Sequence, residues 1–318
     1  MMDIDSLIKK RVQHARGLGP EVDNYHLALV IEAGGQRVSS AAGMAHALAE
    51  YGLGDIFDSI HGASAGSCTA AYFLAESTDL GFDIFTKYLA DEKVLNPKSV
   101  LKVPSIVDTD YIIDEIFENI AKLETDIIFH KQADLNIVVT DRQSGQAVHL
   151  NQFQTREDLL LALKASLRVP GPFEKGVEIN NRKFLDGGFS SPIPLDSAYA
   201  SGATHVLTLC SGRVNDYGVI TIAKSAFEAV MLSIFHGWRF GRRYFRSQLE
   251  SAKLIRSNPR SNKGLHVLVR PKGSIKCGVI TKDYRKLSRS GYEGYRLAEG
   301  FLQSLGLEKE KSESELTS

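Results

Sequence analysis

The sequence predicts an α/β fold in three layers, with helices on both faces of a central, mainly parallel sheet. Three observations carry that expectation. Residues 26–31 (HLALVI) and 205–209 (HVLTL) are short, branched-aliphatic runs with the continuity of strands buried on both faces. The first runs into Ala33-Gly34-Gly35, and a second strand expected over 56–60 runs into His61-Gly62-Ala63-Ser64-Ala65-Gly66. A helical stretch follows each turn, and strand–turn–helix repeated along a chain builds a parallel sheet.

The remaining elements follow in order. Residues 39–51 (SSAAGMAHALAEY) have small side chains at helical rhythm and are closed by Gly52; 67–75 form the next helix. Residues 80–89 read as helical, 96–110 as an irregular Pro-containing stretch, and 111–123 (YIIDEIFENIAKL) as an amphipathic helix. A strand pair is expected over 135–140 and 147–150, joined through Ser144-Gly145, then a helix over 157–166 stopped before Pro170. Phe184-Leu185 leads into Asp186-Gly187-Gly188, and 205–209 is a further strand. One long helical region covers 220–254, with a last strand over 265–270 and a last helix over 287–305. With no repeat or linker evident, one domain covers 25–306, its core motifs in 27–209 and a C-terminal part in 220–306. It lies between an N-terminal extension, 1–24, and a charged tail, 307–318.

The 318 residues are 43% hydrophobic, enough for a well-buried core, and 38 basic residues balance 38 acidic ones. That balance removes the simplest argument for nucleic-acid binding, which needs a basic excess to neutralise phosphates. Cys68, Cys210 and Cys277 are scattered and lack metal-ligand spacing, which speaks against a disulfide framework and for a reducing compartment. The charged N-terminus has no apolar signal core, and no run approaches the roughly 18 apolar residues of a membrane span. The expected location is cytoplasmic, with room for peripheral contact at the inner face of a membrane.

Three motifs carry chemistry. Gly62-Ala63-Ser64-Ala65-Gly66 is a G-x-S-x-G pentapeptide between a strand and a helix. A serine at such an elbow is held in a strained backbone and needs small neighbours, here Gly62 and Gly66. Its hydroxyl meets a helix N-terminus, which favours developing negative charge. Glu32-Ala33-Gly34-Gly35-Gln36-Arg37 leaves backbone N–H groups uncovered, suited to an anion or an oxyanion; neither a Walker lysine pattern nor a full G-x-G-x-x-G is present. Asp186-Gly187-Gly188 can project a carboxylate while the chain turns away, although Asp-Gly alone is an ordinary turn.

Taken in order, these three elements resemble the patatin-like phospholipase family. The likeness extends through Ala165-Ser166, Pro170-Gly171-Pro172-Phe173, Phe184-Leu185, Pro192-Ile193-Pro194 and Ala198…Gly202-Ala203, covering 27–209, with Arg270-Pro271 similar to bacterial members. The resemblance implies a patatin-like fold and a serine lipid acyl hydrolase, a carboxylic ester hydrolase of phospholipase A or lysophospholipase type. It implies that Ser64 attacks the ester carbonyl, forming an acyl-enzyme, with Asp186 as its direct base. Gly34, Gly35 and Gln36 would form the oxyanion hole and Arg37 would shape the loop. The substrate would be a phospholipid or other fatty-acyl ester, with no metal or organic cofactor. An aspartate base must lie well above its free pKa of about 4, which a desolvated cleft provides. The chain departs from the family's G-G-G-x-[RK]-G loop at Ala33 and Val38, and a β-branched Val38 resists positive φ.

Two alternatives stay open. The order Ser64…Asp186…His205 matches a Ser-His-Asp triad, and His61 lies close enough to the elbow to line the site. A degenerated patatin scaffold that binds lipid or membrane without catalysis is the other, motivated by Ala33 and Val38. Residues 233–248 interleave Trp238, Phe240, Tyr244 and Phe245 with Arg239, Arg242, Arg243 and Arg246. Such a segment suits a lipid headgroup layer, and Trp238, Arg239, Arg242 and Arg243 are its candidate contacts. A helix with an aromatic core stripe and a solvated basic face explains the same pattern. Cys68, on the elbow helix, reads as a small buried filler.

Overall fold

Strand β1 (Leu27–Ile31) is buried at every position, as a strand covered on both faces must be. In the computed structural model, which describes residues 2–19, 23–90, 93–94, 107–213, 216, 218–257, 260–261, 264–271 and 277–310, it is central to one mixed sheet. Residues 96–106 of the expected irregular stretch and 311–318 of the tail lie outside the described residues. The other strands are β2 (Ser59–Ala63), β3 (Asp134–Asp141), β4 (Ala147–Leu150), β5 (Val177–Ile179), β6 (Arg182–Asp186), β7 (His205–Leu209), β8 (Arg260–Ser261) and β9 (His266–Val269). Their order is β5-β6-β3-β2-β1-β7-β9-β8, with β4 also paired to β3. From β3 to β9 every neighbour is parallel, while β4, β5, β6 and β8 add antiparallel pairs at the flanks.

Alternation along the strands divides the core. Leu27, Leu29, Ile31, Ile60, Leu207 and Leu209 face one side, packed by α1 (Ile4–Ala15), α2 (Ser39–Glu50), α3 (Ala65–Leu74), α4 (Thr78–Thr86), α6 (Arg156–Leu167) and α10 (Tyr284–Ser304). Short α5 (Thr125–His130) and a π-helical segment, Tyr111–Ile120, pack at the margin of that layer. Ala28, Val30, Val206 and Leu268 face the other side, beneath α7 (Leu195–Ala200) and α9 (Trp238–Arg256), with α8 (Val219–His236) against α9. The result is the mixed α/β architecture expected, with a mostly parallel sheet between two helical layers. Helix α1, within the N-terminal 1–24 segment, buries Ile4, Leu7, Ile8 and Val12 in the main core.

Several elements differ from expectation for identifiable reasons. The second strand is Ser59–Ala63, not 56–60. Asp58 bonds ahead of the ladder, its carboxylate accepting the Leu27 N–H at 2.7 Å and its carbonyl the Asp134 N–H at 3.0 Å, so pairing starts at Ser59. The expected 220–254 helix is broken at Gly237, whose φ of 93° with ψ of 151° belongs to glycine, leaving α8 and α9 as a hairpin. The β5–β6 hairpin was not anticipated. Asn180 and Asn181 turn it with φ of 51° and 61°, the paired positive values of a type I′ turn.

Helices α2 and α10 approach until their backbones touch. A Cβ on Gly43 would lie 2.0 Å from the Gly291 carbonyl oxygen, and one on Gly294 1.9 Å from that of Ser40. Since α2 starts directly after the glycine-rich loop, the C-terminal helix braces that loop from behind.

Candidate active site

Strand register alone brings Ser64 level with Asp186. Ala63 is opposite Val138 on β3, and Val139, one step on, is opposite Asp186 on β6. Ser64 follows Ala63 directly, so the two residues flank the end of β3 across two strand spacings, roughly 9–10 Å of backbone. Their side chains close that gap: Ser64 Oγ donates to Asp186 Oδ2 at 2.7 Å.

Ser64 has φ 54° and ψ −132°, a conformation costing about 1–3 kcal/mol that is held only by its surroundings. Both flanking glycines are required by contact. A Cβ on Gly62 would strike Ser67 Cα at 2.5 Å, and one on Gly66 would strike the Ile31 and Glu32 carbonyl oxygens at 2.6 Å. Helix α3 therefore packs directly on the ends of β1 and β2, with Ser64 at its N-terminus. The Ser64 N–H donates to Ser166 Oγ at 2.8 Å, and Ser166 Oγ donates to the Val138 carbonyl at 2.7 Å. Nothing in the sequence around Ser166 signals this positioning role, because both of its partners are distant along the chain. Ser166→Ala should cost about 1–3 kcal/mol in urea unfolding, since it leaves two buried backbone groups unpaired. Unchanged stability would show the bond to be dispensable.

Asp186 is clamped from both sides. Its N–H donates to the Arg168 carbonyl, and its carbonyl accepts from Thr140 Oγ1. Oδ1 accepts the Gly188 N–H at 2.7 Å, leaving Oδ2 for Ser64. The side chain is buried, and desolvation pushes its pKa up to about 7 against the opposing hydrogen bonds from Ser64 and Gly188. Gly188 closes the site: a Cβ there would lie 2.8 Å from Ala33 Cβ and 3.7 Å from Ser64 Cβ. The glycine-rich loop, the serine and the Asp-Gly-Gly turn thus converge on one point.

In the loop, Gly34 is extended (φ 169°) and Gly35 left-handed (φ 52°), opening a short 3-10 helix, Gly35–Val38. Val38 has an ordinary helical φ of −63°, and Ala33 is outside the positive-φ residues, so both fit in place of the family's glycines. Among the described residues the Gly34 and Gly35 N–H groups have no acceptor. Gln36 corrects the expectation of a hole donor. Its N–H already donates to the Val279 carbonyl at 2.9 Å and its amide to the Leu89 carbonyl. Arg37 pairs with buried Glu32 at 2.9 Å, and Glu32 Oε2 accepts the Ser211 and Gly212 N–H groups. This fastens the loop to the end of β7.

No histidine joins the pair among the described residues. His205 starts β7 opposite Leu27, roughly 20 Å of strand below the level of Ser64, and its ring contacts Thr204 Oγ1 and the Met2 carbonyl. His61 points toward α7, between Ser197 Oγ and Ser59 Oγ, and burial lowers its pKa to about 3. Cys68 is free and buried, its thiol pushed up to about 12 by desolvation.

The model of the family described as patatin-like phospholipase matches residues 29–199, more than half of the chain and a span that contains the glycine-rich loop, Ser64, Ser166 and Asp186. The chain belongs to the patatin-like phospholipase family. It is 25% identical over 187 residues to the uncharacterized protein YjjU of Escherichia coli (strain K12), covering 58% of this chain and 51% of that one. The chain thus spans about half the length of that curated relative. Similar solved structures include VipD from Legionella pneumophila, with TM-score 0.49 and 14% identity, covering 89% of this chain and 67% of that one. Human GIVD cytosolic phospholipase A2, in complex with methyl gamma-linolenyl fluorophosphonate, has TM-score 0.42 and 11% identity over 95% of this chain and 62% of that one. No described helix is long and apolar enough to cross a membrane.

Proposed function

We propose that the chain is a serine lipid acyl hydrolase of phospholipase A or lysophospholipase type, working through a Ser64–Asp186 dyad. The observation that carries this reading is the direct 2.7 Å bond from Ser64 Oγ to a carboxylate whose pKa is raised to about 7. As Oγ attacks the ester carbonyl, Asp186 takes its proton. The Gly34 and Gly35 N–H groups stabilise the oxyanion, each well-placed donor contributing on the order of 3 kcal/mol. Collapse of the tetrahedral intermediate expels the alcohol, which leaves with the proton from Asp186. Water then attacks the acyl-enzyme as Asp186 again accepts a proton, and on collapse that proton returns to Ser64 Oγ while the fatty acid departs. Family membership supports a fatty-acyl ester as substrate. The test is fatty-acid release from a panel of phospholipids, lysophospholipids and neutral glycerides, with wild type beside Ser64→Ala. Release that survives in the variant would sink the proposal.

A lipid substrate needs contact with lipid, and α9 offers exposed Arg239, Arg242 and Arg243 with no acidic partner among the described residues. Arg239 lies over the Trp238 ring at 5.9 Å. Replacing the three arginines by alanine should weaken binding to phosphatidylglycerol vesicles about a hundredfold, at about 1 kcal/mol per basic residue near an anionic surface. Unchanged binding would return α9 to a solvated structural helix.

A further inference from the structure

Helix α8 is apolar on the wrong side as well as the right one. Its inward face buries Ala229 and Leu232 against Leu185, Phe240 and Tyr244. Its outward face carries Phe227, Val230, Met231, Ile234 and Phe235, continued past the Gly237 turn by Trp238, with exposures from 37% to 67%. The spacing from 227 to 235 is i, i+3, i+4, i+7, i+8, one continuous stripe. A soluble surface scatters such residues singly; a contiguous stripe marks a contact. The hairpin is also firmly held, because a Cβ on Gly241 would lie 2.1 Å from both the Ala229 carbonyl oxygen and Ser233 Oγ.

We infer that the α8 stripe is an interfacial anchor that beds into an anionic bilayer, with the basic face of α9 on the headgroups. Charge selects this occupant: an apolar helix face joined through the Gly237 turn to the interface-seeking Trp238 and to exposed Arg239, Arg242 and Arg243 matches acyl chains below a negative headgroup layer. The hairpin rests on residues flanking Asp186. Leu185 packs in its core, Ser247 Oγ donates to the Phe189 carbonyl at 3.0 Å, and His236 Nε2 contacts the Gly171 carbonyl at 3.0 Å. Bedding α8 therefore brings the strand end that bears Asp186 toward the lipid. This inference rests on the lipid-hydrolase reading for its purpose but is tested apart from it.

The experiment uses the full chain with Ser64→Ala, which leaves the lipid intact, and co-sedimentation with vesicles of phosphatidylcholine and phosphatidylglycerol. Adding Phe227→Ser and Ile234→Ser should weaken partitioning about a hundredfold, tenfold for each side chain. The same double variant with Ser64 intact should hydrolyse a short, soluble ester at the wild-type rate, which also certifies its fold. Unchanged vesicle partitioning overturns the inference. So does a lipid-free dimer that the double variant splits, since the stripe would then join two copies of the chain. If wild type hydrolyses no ester while α8 still governs vesicle binding, the hydrolase reading falls and the anchor stands.

Discussion

Ser64→Ala is expected to lower ester turnover by about four to six orders of magnitude and to abolish labelling by a fluorophosphonate, the scale seen when a serine nucleophile is removed. The size follows from the absence of a substitute nearby among the described residues. Ser67 Oγ donates to the Ser64 carbonyl and Ser166 Oγ to that of Val138, so neither hydroxyl points at the carboxylate. The Cys68 thiol is buried and far too weakly acidic to act as a thiolate near neutrality. Equal labelling of wild type and variant would remove Ser64 from the chemistry.

Asp186→Asn should lower kcat/KM by about two to four orders of magnitude, the range for losing a general base. In the wild type, kcat/KM should rise through a single limb near pH 7 and level off above it, because the base works only when ionised. The same burial has a stability signature of opposite sense. The folded carboxyl holds its proton up to about pH 7, the unfolded one releases it near 3.8, so between those values the folded state binds more protons and stability falls as pH rises. The full penalty, about 4 kcal/mol from that difference in pKa, is present above pH 7 and absent below about pH 4. Asparagine keeps the acceptor for the Gly188 N–H and carries no charge. The variant should therefore melt higher than wild type at pH 8, the gap closing toward pH 4. A gap constant with pH would show that Asp186 is not desolvated in the folded chain.

The parallel centre of the sheet was legible because strands covered on both faces are written as unbroken apolar runs, as in Leu27–Ile31 and His205–Leu209. The elbow was legible because its glycines answer to local crowding. Asp186 was not legible from its own surroundings, since Asp-Gly-Gly reads as any turn. Its partnership arises from the register of β2, β3 and β6, which local sequence does not record. Gln36 was misassigned for a similar reason: its acceptors, Val279 and Leu89, come from distant parts of the chain. The break at Gly237 was hidden because the apolar rhythm resumes at once in α9, and the β5–β6 turn because Asn-Asn is a weaker hairpin signal than Asn-Gly.

Strand β6 meets β3 through only three opposed pairs, Val139 with Asp186, Thr140 with Leu185 and Asp141 with Phe184. Side chains alternate along a strand, so a slip of one residue would turn Asp186 to the opposite face while leaving the rest of the sheet intact. Arg182 gripping Asp141 at 2.9 Å and the Arg142 N–H on the Lys183 carbonyl oppose that slip. A refolded sample can therefore be compact, monodisperse and inert. The fraction of molecules that titrate with an acylating agent is a gauge of strand registry, independent of purity.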